Sequence, residues 1–282
     1  MEHRTYEHAQ HGHGHGAGDA QAEVLDLDAE VLADQLASIV DRLPLRTPPA
    51  EIVDLGAGTG TGTLALLRRF PDAHVTAVDS SVAHLQRLAE KVASGRVTTV
   101  EADLDGAWPA LGPADLVWAS ASLHHVADPD LVLRRLRDVL TPGGLLAVVE
   151  LAGMPRFLPD DAAAGRLEAR LHAAADRRMA EHMPHRGADW GVLVATAGYT
   201  VEDRHTVAVD ERRPDDDAVR RYAGIVLRRM RDTFADDLPP DDLPTDDLAA
   251  LDELLDDSRP DGIARRTDLV VRTERTLWAA RP

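Results

Sequence analysis

The sequence predicts an α/β fold, and three observations carry that prediction. A short apolar run, Ile52 to Leu55, ends in a turn of alternating glycines that opens a helix-spaced segment. A second β-branched run, Val75 to Val78, ends in Asp79. Apolar runs then keep alternating with amphipathic stretches as far as Glu150, the rhythm of a parallel sheet with crossover helices.

The first element is organised by Asp54-Leu55-Gly56-Ala57-Gly58-Thr59-Gly60-Thr61-Gly62. Glycines there let the chain turn sharply beneath a ligand, because no side chain holds backbone and ligand apart. Leu64, Leu67 and Phe70 follow at helical spacing, and Pro71 ends the helix. Strand, turn and helix make half of a nucleotide-binding βαβ unit, and Asp79 falls beside the glycine turn. A carboxylate in that place accepts hydrogen bonds from both ribose hydroxyls of an adenosine.

Register distinguishes the adenosine cofactors. A dinucleotide fingerprint, G-x-G-x-x-G/A, begins where the strand ends, so that the pyrophosphate meets the helix N-terminus. Counting from Gly56, its third small residue falls on Thr61. A formal match, Gly60 to Ala65, starts four residues late, inside the helix. The early pattern is instead Asp54-x-Gly56-x-Gly58-x-Gly60, with an acid two places before the first glycine. That suits a cofactor with a free amino group and no phosphate.

Later elements follow in order. Ser80 and Ser81 lead into a helix through Lys91, with Gly95 as its stop. Arg96 to Val100 is the third strand, followed by Glu101-Ala102-Asp103-Leu104. Asp115 to Ala119 is the fourth strand, leading into Ser120-Ala121-Ser122-Leu123-His124-His125. A helix over Asp130 to Leu140, a turn at Thr141-Pro142-Gly143-Gly144 and a fifth strand, Leu145 to Glu150, complete this half. Upstream, residues 22–43 read as one amphipathic helix, lying either over the ligand cleft or along one sheet edge.

Bulk properties narrow the function classes. The 282 residues fit one α/β domain with an addition. A net charge of −18, from 49 acids and 31 bases, disfavours a protein that holds nucleic acid by its phosphates. No apolar run approaches a membrane span, and no apolar leader opens the chain, so a cytoplasmic location is expected. Without cysteine there is no disulfide, thiolate nucleophile, zinc–thiolate or iron–sulfur site. Lys91 is the only lysine, which reads as the base-composition bias of a GC-rich bacterium. His3, His8, His11, His13 and His15 form a glycine-interleaved tract best read as a flexible terminal segment. No metal site is expected.

These blocks resemble the class I S-adenosylmethionine-dependent methyltransferases. The Asp54-to-Gly60 pattern is similar to their motif I. The strand, Leu-His-His loop, helix, Pro-Gly-Gly turn and apolar strand ending in Glu150 are similar to motifs IV and V of the ubiquinone/menaquinone-methyltransferase-like type. The resemblance covers residues 51–151 and implies a Rossmann-like, seven-stranded, mostly parallel sheet with helices on both faces. It implies that Gly56, Ala57, Gly58 and Gly60 line the methionine part of S-adenosylmethionine, with Asp54 toward its amino group. Asp79 with Ser80 would hold the ribose, Asp103 and Leu104 the adenine, and Ser120 would lie near the methyl donor. His124 or His125 would serve as base, since imidazole suits proton transfer near neutral pH.

The division expected along the chain is a flexible 1–20, a helix in 21–46 over the cleft, and a cofactor-binding core, 47–151. A cap segment, 152–186, a return to the core, 187–213, a second cap segment, 214–262, and the last strand, 263–282, follow. Asp160 and Asp161 are the expected cap of a helix over 162–182, and the last strand is expected at the sheet edge. Fifteen acids and six arginines give the 214–262 segment a charge of −9, half that of the chain. The expected activity is methyl transfer to an oxygen or nitrogen of a small molecule, in secondary metabolism or elsewhere. Two alternatives stand beside it: the same fold as a non-methylating or scaffold protein, and an NAD(P)-dependent oxidoreductase. Oligomeric state, a homodimer included, is left open.

Overall fold

A computed structural model describes residues 16–92, 95–234 and 243–282. Seven strands form one sheet: β1 (Glu51–Leu55), β2 (His74–Asp79), β3 (Val97–Glu101), β4 (Ala114–Ser120), β5 (Leu140–Leu151), β6 (Thr200–Arg212) and β7 (Val270–Arg281). Their spatial order is β3-β2-β1-β4-β5-β7-β6. The first five run parallel, and β7 is antiparallel to both β5 and β6. The last strand therefore lies inside the sheet, correcting the expectation of an edge position; β6 is the edge. Its inward residues explain why: Val271, Leu277 and Ala279 are fully buried, which an edge strand with one solvated side does not require.

Two helical layers cover the sheet. Helices α2 (Ala33–Asp41) and α3 (Thr61–Arg69) pack Leu36, Ile39 and Leu66 against Ile52, Trp118 and Leu277. On the opposite face α5 (Pro129–Val139) and α7 (Trp190–Thr196) pack Leu133, Leu136 and Trp190 against Val117, Val148 and Trp278. Local chemistry starts several of these helices. Ser81 Oγ accepts from His84 N at the head of α4 (Val82–Lys91), and Asp128 accepts from Leu131 N with Pro129 in the first turn of α5.

The chain ahead of β1 forms two helices, not one: α1 (Gly16–Val31) and α2, broken at Leu32. Helix thus begins at Gly16, inside the segment expected to be flexible; the histidine tract, residues 3–15, lies outside the described residues. Thr141 to Gly144 also differ from expectation. They form a bulge within β5, where pairing jumps from Ala114–Leu140 to Leu116–Leu145, and Gly143 takes φ of +85°.

Beyond β5, α6 (Ala163–His182), α8 (Asp217–Thr233) and α9 (Thr245–Leu255) join α1 around a second core of Leu27, Leu171, Tyr222, Val226 and Leu251. Arg170 holds Asp247 through two 2.7 Å bonds, tying α6 to α9. Asp160 and Asp161 do not cap α6: its N-cap is Ala162, with no side-chain bond, and Asp160 pairs with Arg272 instead. Several acids of the −9 segment are likewise paired, Asp252 with Arg231 and Asp257 with Arg228. Among the described residues no helix is long and apolar enough to cross a membrane.

Candidate active site

A cleft of about 400 Å³ opens at the carboxyl ends of β1, β2 and β4, roofed by α1. This is where an open parallel sheet places ligands, at the point where strand order reverses. Its volume lies within the range of about 300–1,000 Å³ common to small-molecule sites.

The glycine turn forms one wall. The Gly56 and Ala57 N–H groups both donate to the Val78 carbonyl, at 2.8 and 2.9 Å. Gly56 sits at φ +74°, and a Cβ there would come within 2.3 Å of Ser122 Cβ, so only glycine fits. Gly58 approaches the roof: a Cβ on it would meet Leu25 of α1 at 3.1 Å. Gly60 is placed differently from expectation. It does not line the cleft but packs beneath Leu88 of α4, with 2.7 Å left for a Cβ.

Asp79 lines the cleft with Ser80, and its carboxylate is already held. One oxygen accepts from Gly58 N at 2.8 Å and the other from Ser81 N at 2.9 Å, with His84 Nδ1 3.4 Å away. Asp54 is 2 % exposed and takes the Thr63 hydroxyl at 2.6 Å. Burial outweighs the Thr63 bonds and raises its pKa to about 6, so it ionises near neutrality. Asp103 and Leu104 reach the far end of the cleft, where Asp103 also stabilises its own turn by accepting from Asp105 N at 3.0 Å.

Ser120 ends β4 and lines the cleft. Ala121 beyond it takes φ of +51°, a strained backbone for a residue with a side chain, fixed by its N–H bond to the Val149 carbonyl. A single helical turn, Leu123–His125, then splits the histidine pair. His125 faces the cleft, whereas His124 is buried with Nδ1 2.6 Å from Glu150 Oε2. The rings lie 4.2 Å apart, tilted by 40°. Partial burial of the ring, then His124 and Arg186, lower the His125 pKa to about 4, while the residue as a whole is exposed to solvent.

Several lining residues escaped the sequence reading: Leu25 and Asp28 from α1, Ser122, and Arg275 from β7. Among the described residues no three His, Asp or Glu side chains gather as a metal site.

The cleft fits S-adenosylmethionine by its own features. Gly56 and Gly58 leave room that a Cβ would fill, a carboxylate is fixed at the end of β2, and a buried carboxylate stands at the end of β1.

Comparison with known proteins agrees. Residues 52–144 match the family model described as a methyltransferase domain, about a third of the chain. Trans-aconitate 2-methyltransferase of Paracidovorax citrulli is 40% identical over 111 residues, 39% of this chain and 42% of that protein. Malonyl-[acyl-carrier protein] O-methyltransferase of Laribacter hongkongensis is 34% identical over 129 residues, 43% of each chain. The chain thus matches less than half the length of these curated relatives. A Bacillus halodurans crystal structure superposes with a TM-score of 0.51 at 19% identity, over 88% of this chain and 98% of that one. The YcgJ protein of Bacillus subtilis gives 0.50 at 14%, with the same coverage. Both structures share the fold.

Proposed function

With residues 52–144 forming a methyltransferase domain of class I architecture, we propose that the protein transfers a methyl group from S-adenosylmethionine to an oxygen or nitrogen of a small molecule. The observation that carries this is the convergence of Asp54, the glycine turn, Asp79, Asp103 and Ser120 in one cleft. The relative named malonyl-[acyl-carrier protein] O-methyltransferase favours oxygen as acceptor. We place the reaction in the cytoplasm, where such a cofactor is made.

When bound, the cofactor supplies an electrophilic methyl on a sulfonium, displaced in line by the acceptor's lone pair as the carbon–sulfur bond breaks. The protein's part is placement, exclusion of water and care of the proton. Asp79 needs no reorganisation to accept the ribose hydroxyls, because Gly58 and Ser81 already aim its oxygens. Asp54, ionised above its pKa of about 6, attracts the amino group at the cleft floor. Asp103 and Leu104 close on the adenine. Helix α1 lies across the cleft through Leu25 and Asp28 and keeps bulk water out.

His125 takes the role of hydrogen-bond acceptor for the nucleophile and His124 does not. His125 reaches the cleft and stays neutral at pH 7, so a ring nitrogen accepts a hydrogen bond from the nucleophile's O–H or N–H. His124 is occupied by Glu150 and sets the loop's conformation.

Incubation with methyl-labelled S-adenosylmethionine and a library of small carboxylic acids, phenols and amines tests the reading. Labelled product with equimolar S-adenosylhomocysteine supports it. Cofactor binding without label transfer to any acceptor would leave a non-methylating role instead.

A further inference from the structure

Arg275 is an unusual residue to find inside a sheet. It lies in β7, 6% exposed, and its side chain lines the cleft. Register puts it at the reactive end: Arg275 pairs with Leu151, just past Glu150, while Ser120 on β4 pairs with Val149. Strand alternation puts both side chains on one face. Ser120 shares the parity of Trp118, Arg275 that of Leu277, and Trp118 and Leu277 pack in the same core.

The guanidinium is fixed but not saturated. Both Asp28 oxygens fall on a single nitrogen, Nη2, at 2.7 and 2.5 Å. Tyr222 of α8 holds the same Asp28 by donating to Oδ1 at 2.7 Å. Nε is buried and has no partner among the described residues. The favoured carboxylate geometry uses the Nε–Nη2 edge bidentately, as Arg170 does with Asp247. Here Asp28 withdraws to one nitrogen, and a buried charged donor is left without an acceptor, which is costly unless something else supplies one.

We propose that Arg275 is the acceptor-recognition residue and binds a carboxylate of the substrate, held in place by Asp28 and Tyr222. The proposal rests on the methyltransferase reading of the cleft and names its substrate class: small molecules carrying at least one carboxylate. Asp28 and Arg275 neutralise each other in the free protein, so the site binds a carboxylate through directed N–H donors more than through net charge.

Calorimetry on S-adenosylhomocysteine-saturated protein tests this, with malonate, succinate and trans-aconitate as probes beside their neutral methyl esters. Saturable binding of at least one acid, but not of its ester, is expected in the wild type. Arg275→Gln should weaken that binding by roughly thirty-fold or more, while Arg275→Lys keeps part of it. Equal acid binding in wild type and Arg275→Gln, or esters binding as well as acids, overturns the proposal. So does S-adenosylhomocysteine binding with no acid bound. Failure of S-adenosylhomocysteine to bind the wild type overturns the underlying reading instead, so the two failures are distinct. Should Arg275→Gln not fold, Arg275→Lys decides. Its ammonium keeps the charge opposite Asp28 but loses the planar fork of donors, so acid binding should fall several-fold with S-adenosylhomocysteine binding kept; unchanged acid binding contradicts the proposal.

Discussion

Lys91 Nζ donates to Asp26 at 2.6 Å and to the Thr59 carbonyl at 3.0 Å, so the chain's single lysine ties the roof helix α1 to the glycine turn. The Thr59 hydroxyl donates to the same Asp26 oxygen at 2.7 Å. Burial pulls the Asp26 pKa upward, but Lys91 and Thr59 together hold it below the usual carboxylate range. Lys91 and Asp26 are each about a third exposed, so the pair contributes at most about 1 kcal/mol. Its effect should therefore appear in ligand release more than in stability. Lys91→Met is expected to speed S-adenosylhomocysteine dissociation about five-fold, the kinetic equivalent of roughly 1 kcal/mol, with little change in Tm. Stopped-flow displacement measures this, and an unchanged rate would remove α1 from control of the cleft.

Gly56 offers a steric test. A methyl there collides with Ser122 Cβ at 2.3 Å, and the backbone stands at φ +74°. Gly56→Ala should destabilise the protein by about 3 kcal/mol from overpacking and strain together, and abolish cofactor binding. Adding Ser122→Gly removes the collision but not the strain, so the double variant should recover about half the loss. Thermal unfolding of both variants measures the recovery, and equal Tm values would place the penalty elsewhere.

The adjacent histidines should separate cleanly. His125→Ala is expected to lower kcat by about ten- to a hundred-fold, with S-adenosylhomocysteine affinity and Tm preserved. His124→Ala instead strands Glu150, whose Oε1 is already buried without a partner among the described residues, and should cost on the order of 3 kcal/mol of stability. Because His125 has its pKa held near 4, its protonation does not limit the rate between pH 6 and 8; the rate falls only as pH drops toward 4. An acid limb with an apparent pKa near 6.5 in kcat/KM, lost in His125→Ala, would contradict the environment described for it.

Glu168 carries the pH prediction for stability. It is fully buried in α6 and accepts the Phe157 and Leu158 N–H groups at 2.8 and 2.9 Å. Burial outweighs those bonds and the nearby Arg156 and Arg266, and lifts its pKa from 4.5 to about 7. A carboxyl with a raised folded pKa stabilises the fold fully below pH 4.5, and that contribution, up to about 3 kcal/mol, is lost as pH rises through 7. Glu168→Gln removes this dependence. The variant loses an acceptor and should be less stable than wild type at pH 5, with the gap narrowing by pH 8. His172 beside it, buried with a pKa lowered to about 4, acts oppositely in both proteins. Tm measured across pH 5–8 for the pair decides; a constant gap would contradict the buried-acid account.

What the sequence made legible is what lies close together along the chain. Asp54, Gly56, Gly58 and Asp79 were readable because strand, turn and strand follow within thirty residues, and the periodicity switches at each boundary. The position of β7 was not, since alternating Arg272, Glu274 and Arg275 look like an edge; their partners Asp160 and Asp28 come from distant segments. Asp28 and Arg275 are 247 residues apart, and nothing local marks either. His124 and His125 are neighbours in sequence with the same chemistry, and only the helical turn that rotates one inward tells them apart. Gly60 fits the glycine pattern yet serves the packing of Leu88, because a motif records spacing and not which neighbour presses on each residue.

In the proposed reaction Asp79, aimed by Gly58 and Ser81, holds the cofactor's ribose in this cleft. Calorimetric titration with S-adenosylhomocysteine of the wild type and Asp79→Ala, beside NADPH, tests it most directly. Micromolar binding by the wild type, its loss in the variant, and no heat from NADPH are expected. Binding of NADPH in place of S-adenosylhomocysteine would contradict the glycine register and the function built on it.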